Sequence, residues 1–204
     1  YSTGEQDKFR TRLERGTGGG TEIYISHRGM VEKLTGPKQE GTMWEPRPAD
    51  PELETEFLRR LMVKLGASQA QSRTAVADTV VAKPTSRVTS VNGSPAVEMS
   101  EGFDRAWRRV GLALDRTGFT VEDRDRSQGT YFVRYVAPNP DKKEPGFFGK
   151  LFSSSGNAAA PLKFRISVKS QGEATTVSVL NASGAPETSA NAQRIVTVIA
   201  DDLK

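Results

Sequence analysis

The clearest structural pattern in the chain is FDRAWRRVGLALDRTGFTVEDRDRSQGTYFVRYV, which runs from Phe103 to Val136. In its first part, four apolar residues recur at the spacing of one helix face: Phe103, Trp107, Val110 and Leu114. The second part holds two runs typical of strands, 119–123 and 130–136, and the turn between them ends at Gly129. A helix followed by a strand pair predicts an α+β domain whose antiparallel sheet covers the apolar face of the helix.

The segments on either side of this pattern extend the predicted sheet. Arg87 to Val91 and Ala96 to Met99 flank Asn92-Gly93, a dipeptide that favours a two-residue hairpin turn. Two more strands are predicted at 163–169 and 175–180. A final helix carries four apolar residues on one face: Ile195, Val196, Ile199 and Leu203.

The first part of the chain begins with another predicted hairpin. Strict alternation in 8–14 and 21–27 marks two half-buried strands, and the glycines of 16–20 supply the turn. In the first strand, Leu13 is expected on the apolar face and Arg12 on the polar face.

A loop that contains Pro46 and Pro48 is predicted after this hairpin, and it leads to a helix capped by Asp50. The apolar residues of this helix recur at a spacing of four: Leu53, Phe57, Leu61 and Leu65. Gly66 is expected to end the helix.

The last third of the chain repeats the order of the first third, which is strand, turn, strand and helix. Three matches carry the repeat: Lys8-Phe9-Arg10 with Lys163-Phe164-Arg165, Ile23-Tyr24-Ile25 with Val177-Ser178-Val179, and Phe57, Leu61 and Leu65 with Ile195, Ile199 and Leu203. An ordered succession of this kind indicates a duplicated unit.

The repeat and the composition together divide the chain. Residues 67–86 have neither period nor bulk, which is typical of a flexible linker. We therefore predict the C-terminal part of a first domain in 1–66, a linker in 67–86 and a complete second domain in 87–204. The first domain is expected to lack its opening helix and strands, and to be the less stable of the two.

Charge and residue usage exclude several classes of function. The 29 basic and 25 acidic residues are interleaved, as on a solvated surface, and form no stripe that would bind nucleic acid. There is no cysteine, and the only histidine, His27, is expected at the surface. Glu122, Asp123 and Asp125 are not expected to converge on a cation, because successive strand residues face opposite ways. We predict no catalytic, cofactor or metal site, and a protein that is not an enzyme.

Two groups of residues are candidates for binding a partner: Arg105, Arg108 and Arg109 on the exposed side of the Trp107 helix, and Phe147, Phe148 and Phe152 in a loop rich in Gly, Pro and Lys. The phenylalanines have two interpretations. They either form a short helical turn that plugs an edge of the sheet, or an apolar surface that docks a partner or touches a membrane.

Motifs spread over essentially the whole chain are similar to those of one protein family. They are Phe103-Asp104-Arg105-Ala106-Trp107, Gly118-Phe119, Asp125-Arg126-Ser127-Gln128-Gly129 with Tyr131, and, in the first hairpin, Phe9-Arg10 and His27-Arg28-Gly29. These motifs resemble the BamC (NlpB) family, lipoproteins of the bacterial outer-membrane β-barrel assembly machinery. The resemblance implies two helix-grip domains, in which an antiparallel sheet wraps against a helix, and a non-catalytic accessory role.

The resemblance also implies two features that would precede Tyr1. One is a lipidated cysteine that anchors the protein to the periplasmic side of the outer membrane. The other is an extended segment that binds the partner lipoprotein BamD.

The predicted function is thus an accessory scaffold subunit that acts through protein–protein contacts in outer-membrane protein assembly. The alternative is a periplasmic module that binds a small lipid or a cell-wall fragment in the groove between helix and sheet.

Overall fold

The structure is a computed structural model, and it describes residues 4–16, 18–35, 41–77, 86–136 and 161–203. The chain divides into two compact units, Tyr1–Ala82 and Lys83–Lys204. Both units combine antiparallel strands with helices, which confirms the predicted α+β class.

The first unit holds a three-stranded antiparallel sheet and two helices. In chain order its elements are β1 (Glu5–Arg15), β2 (Thr21–Thr35), β3 (Gly41–Arg47), α1 (Pro51–Lys64) and α2 (Gln69–Ala77). β2 is the central strand. Asp50 caps α1 as predicted, because its carboxylate accepts hydrogen bonds from the backbone N–H groups of Glu52 and Leu53. α1 lies against β2, and the ring of Phe57 stacks on that of Phe9 with 4.4 Å between centroids.

Two segments of the first unit differ from their predictions. The predicted proline-containing loop includes the strand β3, in which Pro46 is tolerated because β3 is an edge strand of the sheet formed by the described residues. The predicted linker includes the helix α2, so the interpretation of 67–86 as structureless is wrong for 69–77. The weak apolar period of α2 hid this helix, and Ser68 starts it by accepting a hydrogen bond from the Gln71 N–H.

The burial of β1 is also the reverse of the sequence pattern at one position. Leu13 is 60% exposed, whereas Arg12 is only 7% exposed. The guanidinium carbon of Arg12 lies 4.2 Å from the centre of the Tyr24 ring, and Arg12 pairs with Glu14. A long charged side chain is thus buried through its stem and a ring contact, which alternation alone does not reveal.

The second unit holds a six-stranded antiparallel sheet. Its elements are β4 (Ser86–Val91), β5 (Ser94–Met99), α3 (Phe103–Arg116), β6 (Thr120–Asp125), β7 (Thr130–Tyr135), β8 (Leu162–Gln171), β9 (Ala174–Asn181) and α4 (Ala190–Asp202). The strand order is β4-β5-β9-β8-β7-β6. Residues of α3 and α4 form one apolar core with the inward-facing residues of the sheet.

The turn between β4 and β5 is the one that the sequence predicts. Asn92 and Gly93 both have left-handed backbones, with φ of 51° and 79°. Two successive left-handed residues match the twist of the flanking strands, so the dipeptide fixes the pairing of Val91 with Ser94.

The strand registers agree with the predicted repeat. In the first unit Leu13 pairs with Ile23, four residues after Phe9. In the second unit Val168, four residues after Phe164, pairs with Val177, the counterpart of Ile23. Both hairpins therefore have the same register, although the strand β3 separates the first hairpin from its helix.

Candidate functional site

The helix α3 is held on the sheet by stacked aromatic side chains. The rings of Trp107 and Tyr131 stack with 3.9 Å between centroids, and the Tyr131 hydroxyl donates a hydrogen bond of 2.8 Å to the Trp107 carbonyl. Trp107, Tyr131 and Val133 are all buried, which confirms their assignment to the core. Tyr135 lies in the same core, and burial raises the pKa of its hydroxyl.

This packing bears on the alternative of a small ligand between helix and sheet. The ligand would occupy the space beneath α3, and that space holds the Trp107 and Tyr131 rings in direct contact. Phe164 is buried against the same core, with its ring 6.2 Å from that of Tyr135. Aromatic side chains of the protein therefore occupy part of the candidate groove.

Arg109, a predicted partner-binding residue, binds other residues of the second unit. Its Nη1 lies 2.5 Å from Glu101 Oε1, and its Nη2 donates a hydrogen bond to the Leu203 carbonyl at the end of α4. The side chain is only 20% exposed. The expectation that Arg109 is exposed is therefore wrong, because the buried carboxylate of Glu101 and the end of α4 draw its guanidinium inward.

The other two arginines of the predicted partner-binding group lie on the outer side of α3. Arg105 and Arg108 are both exposed. Arg105 Nε lies 3.3 Å from Glu101 Oε1, so this carboxylate joins two of the three predicted arginines. Farther along this surface, Arg126 donates a hydrogen bond of 2.8 Å to Asp104. The solvent side of α3 thus carries ordered charged groups.

The other predicted group, Phe147, Phe148 and Phe152, lies outside the described residues.

The acidic residues of β6 have separate partners. Glu122 pairs with Arg134 and Lys163, and Asp123 accepts a hydrogen bond from the Arg124 N–H. Asp125 accepts hydrogen bonds from Ser127 and Gln128, which lower the pKa of its carboxyl group. Within the described ranges, no group of three or more His, Cys, Asp or Glu residues is arranged to hold a metal ion.

His27 is the residue that sequence reasoning placed wrongly. It is completely buried in the first unit, not at the surface. Its Nε2 lies 2.9 Å from Asp7 Oδ1, its Nδ1 accepts a hydrogen bond of 3.0 Å from the Asp50 N–H, and its own N–H donates to Glu54. Because Nδ1 accepts, Nε2 carries the proton and donates to Asp7. The signal that sequence reasoning missed was the position of His27 in β2. His27 follows Ile23 and Ile25 at every second residue, so it lies on the same face of the strand as they do.

The network around His27 perturbs one carboxyl group. The hydrogen bond from His27 lowers the pKa of Asp7, and Arg47 Nη2, 2.5 Å away, adds to the effect. Arg47 also lies 3.9 Å from Asp50. One polar cluster, formed by Asp7, His27, Arg47 and Asp50, thereby joins β1, β2, β3 and the start of α1.

In the second unit, the described residues form an α+β fold with an apolar core between sheet and helices, and the solvent side of α3 carries charged groups. None of the helices in the described part of the chain combines the length and the apolar character needed to span a bilayer. A family model described as "Outer membrane protein assembly factor BamC-like C-terminal domain" matches residues 85–203. The chain belongs to the BamC family.

Relatives in several bacteria support this membership. The chain is 52% identical over 212 residues to outer membrane protein assembly factor BamC of Accumulibacter regalis, covering all of this chain and 55% of the relative. It is 49% identical over 213 residues to the protein of that name from Thiobacillus denitrificans, covering all of this chain and 56% of the relative. A BamC from Pseudoalteromonas atlantica is 36% identical over 98 residues, or 47% of this chain and 25% of that protein. The chain thus spans about half the length of the first two relatives.

Proposed function

We propose that this chain is the folded body of a non-catalytic accessory subunit in the assembly of outer-membrane proteins, and that it acts through protein–protein contacts. The observation that carries the proposal is the similarity of the entire chain, at about half identity, to two proteins named as outer membrane protein assembly factors. Those relatives connect the chain with the assembly process. The non-catalytic part of the proposal rests on membership of the BamC family.

The solvent side of α3 is the contact surface that we assign to this function. Arg105 and Arg108 are exposed there, while Arg109 and Glu101 hold the helix against the end of α4. A rigid helix that presents ordered charges suits a protein partner with an acidic surface, because complementary charge steers and orients such contacts. Phe147, Phe148 and Phe152 remain further candidates for the same role.

The other parts of the proposal follow from the family. A lipidated cysteine and a segment that binds a BamD-like lipoprotein would lie before Tyr1 in the full-length protein, which would be anchored at the periplasmic side of the outer membrane. The chain would form two helix-grip domains, with a boundary between the two compact units near Ala82 and Lys83.

The proposal is tested by photo-crosslinking in cells that carry the full-length protein. A photoreactive amino acid at position 105 or 108 is expected to crosslink to subunits of the assembly machinery. The matched control is position 169, where Lys169 is exposed on β8 of the same unit. Crosslinks that are equally frequent at all three positions would exclude the solvent side of α3 as the contact surface. A loss of the full-length protein that leaves outer-membrane protein levels unchanged would contradict the proposed function itself.

A further inference from the structure

Among the described residues of the second unit, one sheet edge lacks the usual protection against pairing with another strand. Its other edge, β6, carries Glu122, Asp123, Arg124 and Asp125 and has a bulge between Val121 and Asp123. Charges and bulges of this kind prevent edge-to-edge pairing. β4 has a single charged residue, Arg87, and its guanidinium is bound to Glu98 on the neighbouring strand at 2.8 Å.

The free hydrogen-bonding groups of β4 follow from the hairpin geometry. Val91 and Ser94 flank the two-residue turn and so form a hydrogen-bonded pair. Since such pairs alternate along antiparallel strands, Thr89 also bonds to β5, and the backbone N–H and C=O groups of Val88 and Ser90 point outward. In the described part of the chain, β4 ends the sheet on this side.

A row of valines crosses the helix-covered face of the sheet and ends at this edge. Val168 pairs with Val177, Val177 with Val97, and Val97 with Val88. The first three are buried, but Val88 is 47% exposed. An added strand with an apolar residue beside Val88 would continue the row and cover it.

We propose that the open edge of β4 binds an extended segment of an unfolded outer-membrane protein by strand addition. The inference rests on the proposed function, which brings such segments to the protein. Strands of outer-membrane barrels alternate between apolar and polar residues. A strand of this period can place an apolar residue beside Val88 on the helix-covered face and polar residues beside Arg87 and Thr89 on the other.

A second copy of β4 fits the edge less well than such a segment. On the helix-covered face, β4 carries Ser86, Val88 and Ser90, so its own copy would bring two serines and one valine to an apolar row. A barrel strand brings an apolar side chain at every second position. The edge therefore favours a strand with continuous alternation over self-pairing.

The test is amide hydrogen exchange of the full chain with a synthetic ten-residue peptide (alternating valine and threonine, one lysine at each end). The peptide is expected to slow exchange at Val88 and Ser90 by about tenfold or more, and to leave Thr89 unchanged because its N–H already bonds to β5. A peptide of the same composition in which valines and threonines are grouped, not alternating, is the control. Unchanged exchange at Val88 and Ser90 would overturn the proposal. Protection that rises with protein concentration without peptide would overturn it in favour of a second copy.

Two variants separate strand addition from other binding. Ser90→Pro removes an outward N–H without removing a bond to β5, so it is expected to abolish the protection at Val88, whereas Ser90→Ala retains it. If Ser90→Pro fails to fold, Val88→Lys replaces it, with Val91→Lys as the control on the opposite face. Full protection in Val88→Lys or in folded Ser90→Pro contradicts the proposal. Crosslinking of these variants to the assembly machinery reports on the proposed function separately.

Discussion

In each unit a single strand side chain binds the backbone of a segment that leaves the sheet. By the register of the repeat, His27 in β2 corresponds to Asn181 in β9. His27 Nδ1 accepts the Asp50 N–H, and Asn181 Oδ1 accepts the N–H groups of Ser183 and Ala185. The two residues differ in chemistry, but each places an acceptor where the chain leaves the sheet.

The carboxyl group of Asp7 predicts a pH dependence for the first unit. Its pKa is lowered in the folded state, mainly by the hydrogen bond from His27. The stability that it contributes is therefore present above the ordinary pKa of an aspartate, about 4, and is lost as the pH falls through the lower folded value. We expect the urea midpoint of Asp7→Asn to fall less between about pH 5 and 3 than that of the unmodified chain.

This measurement uses the fluorescence of Trp44, which lies on β3 of the same unit, in a Trp107→Phe background. Asp104→Asn, which alters an aspartate of the second unit, serves as the control. An equal pH response of the Asp7→Asn variant and its parent would show that Asp7 contributes nothing to acid unfolding.

Arg109 predicts a difference between neighbouring arginines of α3. Arg109→Ala removes the contacts to Glu101 and Leu203 and is expected to lower the free energy of unfolding of the second unit by about 1–3 kcal/mol. Arg108→Ala, on the exposed side, should stay within about 0.5 kcal/mol. Urea denaturation followed by Trp107 fluorescence, in a Trp44→Phe background, distinguishes them. Equal effects would contradict the assignment of Arg109 as a structural contact.

At the scale of elements, turns of the second unit depend on glycine for different reasons. Gly129 and Gly172 both have left-handed backbones, with φ of 63° and 61°. A Cβ at Gly129 would lie 2.3 Å from the Val168 carbonyl oxygen, whereas one at Gly172 would have no atom within 4 Å. Only the first glycine is required by the approach of another strand.

These two glycines therefore give a matched pair of variants. Gly172→Ala is expected to cost about 1 kcal/mol, which is the penalty of a left-handed backbone. Gly129→Ala bears the same penalty and also displaces β8, so its cost should exceed that of Gly172→Ala by about 2 kcal/mol. Thermal unfolding measures both. If their costs were equal, the contact between Gly129 and β8 would have no energetic importance.

At the scale of the whole molecule, the two units differ in how well they bury their apolar residues. Among the described residues of the first unit, four large apolar residues are exposed: Leu13, Leu34, Phe57 and Leu65. Phe57 and Leu65 correspond in the repeat to Ile195 and Leu203, which are fully buried in the second unit. The same helix pattern is therefore buried in the second unit and partly exposed in the first.

This difference predicts two unfolding transitions for the chain. Because less apolar area is buried in the first unit, we expect it to unfold at a lower urea concentration than the second. Each unit contains one tryptophan, Trp44 or Trp107, so Trp107→Phe and Trp44→Phe variants report on one unit at a time. Coincident transitions in the two variants would show that the units unfold as one.

Local patterns in the sequence were sufficient for the elements of the second unit. The spacing around Trp107, the Asn92-Gly93 turn and the alternation in β7, β8 and β9 are properties of neighbouring residues, so they predict helix, turn and strand correctly. The repeat was visible for the same reason, since its matches preserve strand register.

The placement of polar residues depended on contacts between segments far apart in the chain. The burial of His27 depends on Asp7 and Asp50, and that of Arg109 on Glu101 and the end of α4. The candidate site was accordingly predicted only in part, with Arg105 and Arg108 on the exposed side of α3 as expected. A charged or polar side chain is buried wherever partners satisfy it, and those partners are set by the tertiary structure, not by local periodicity.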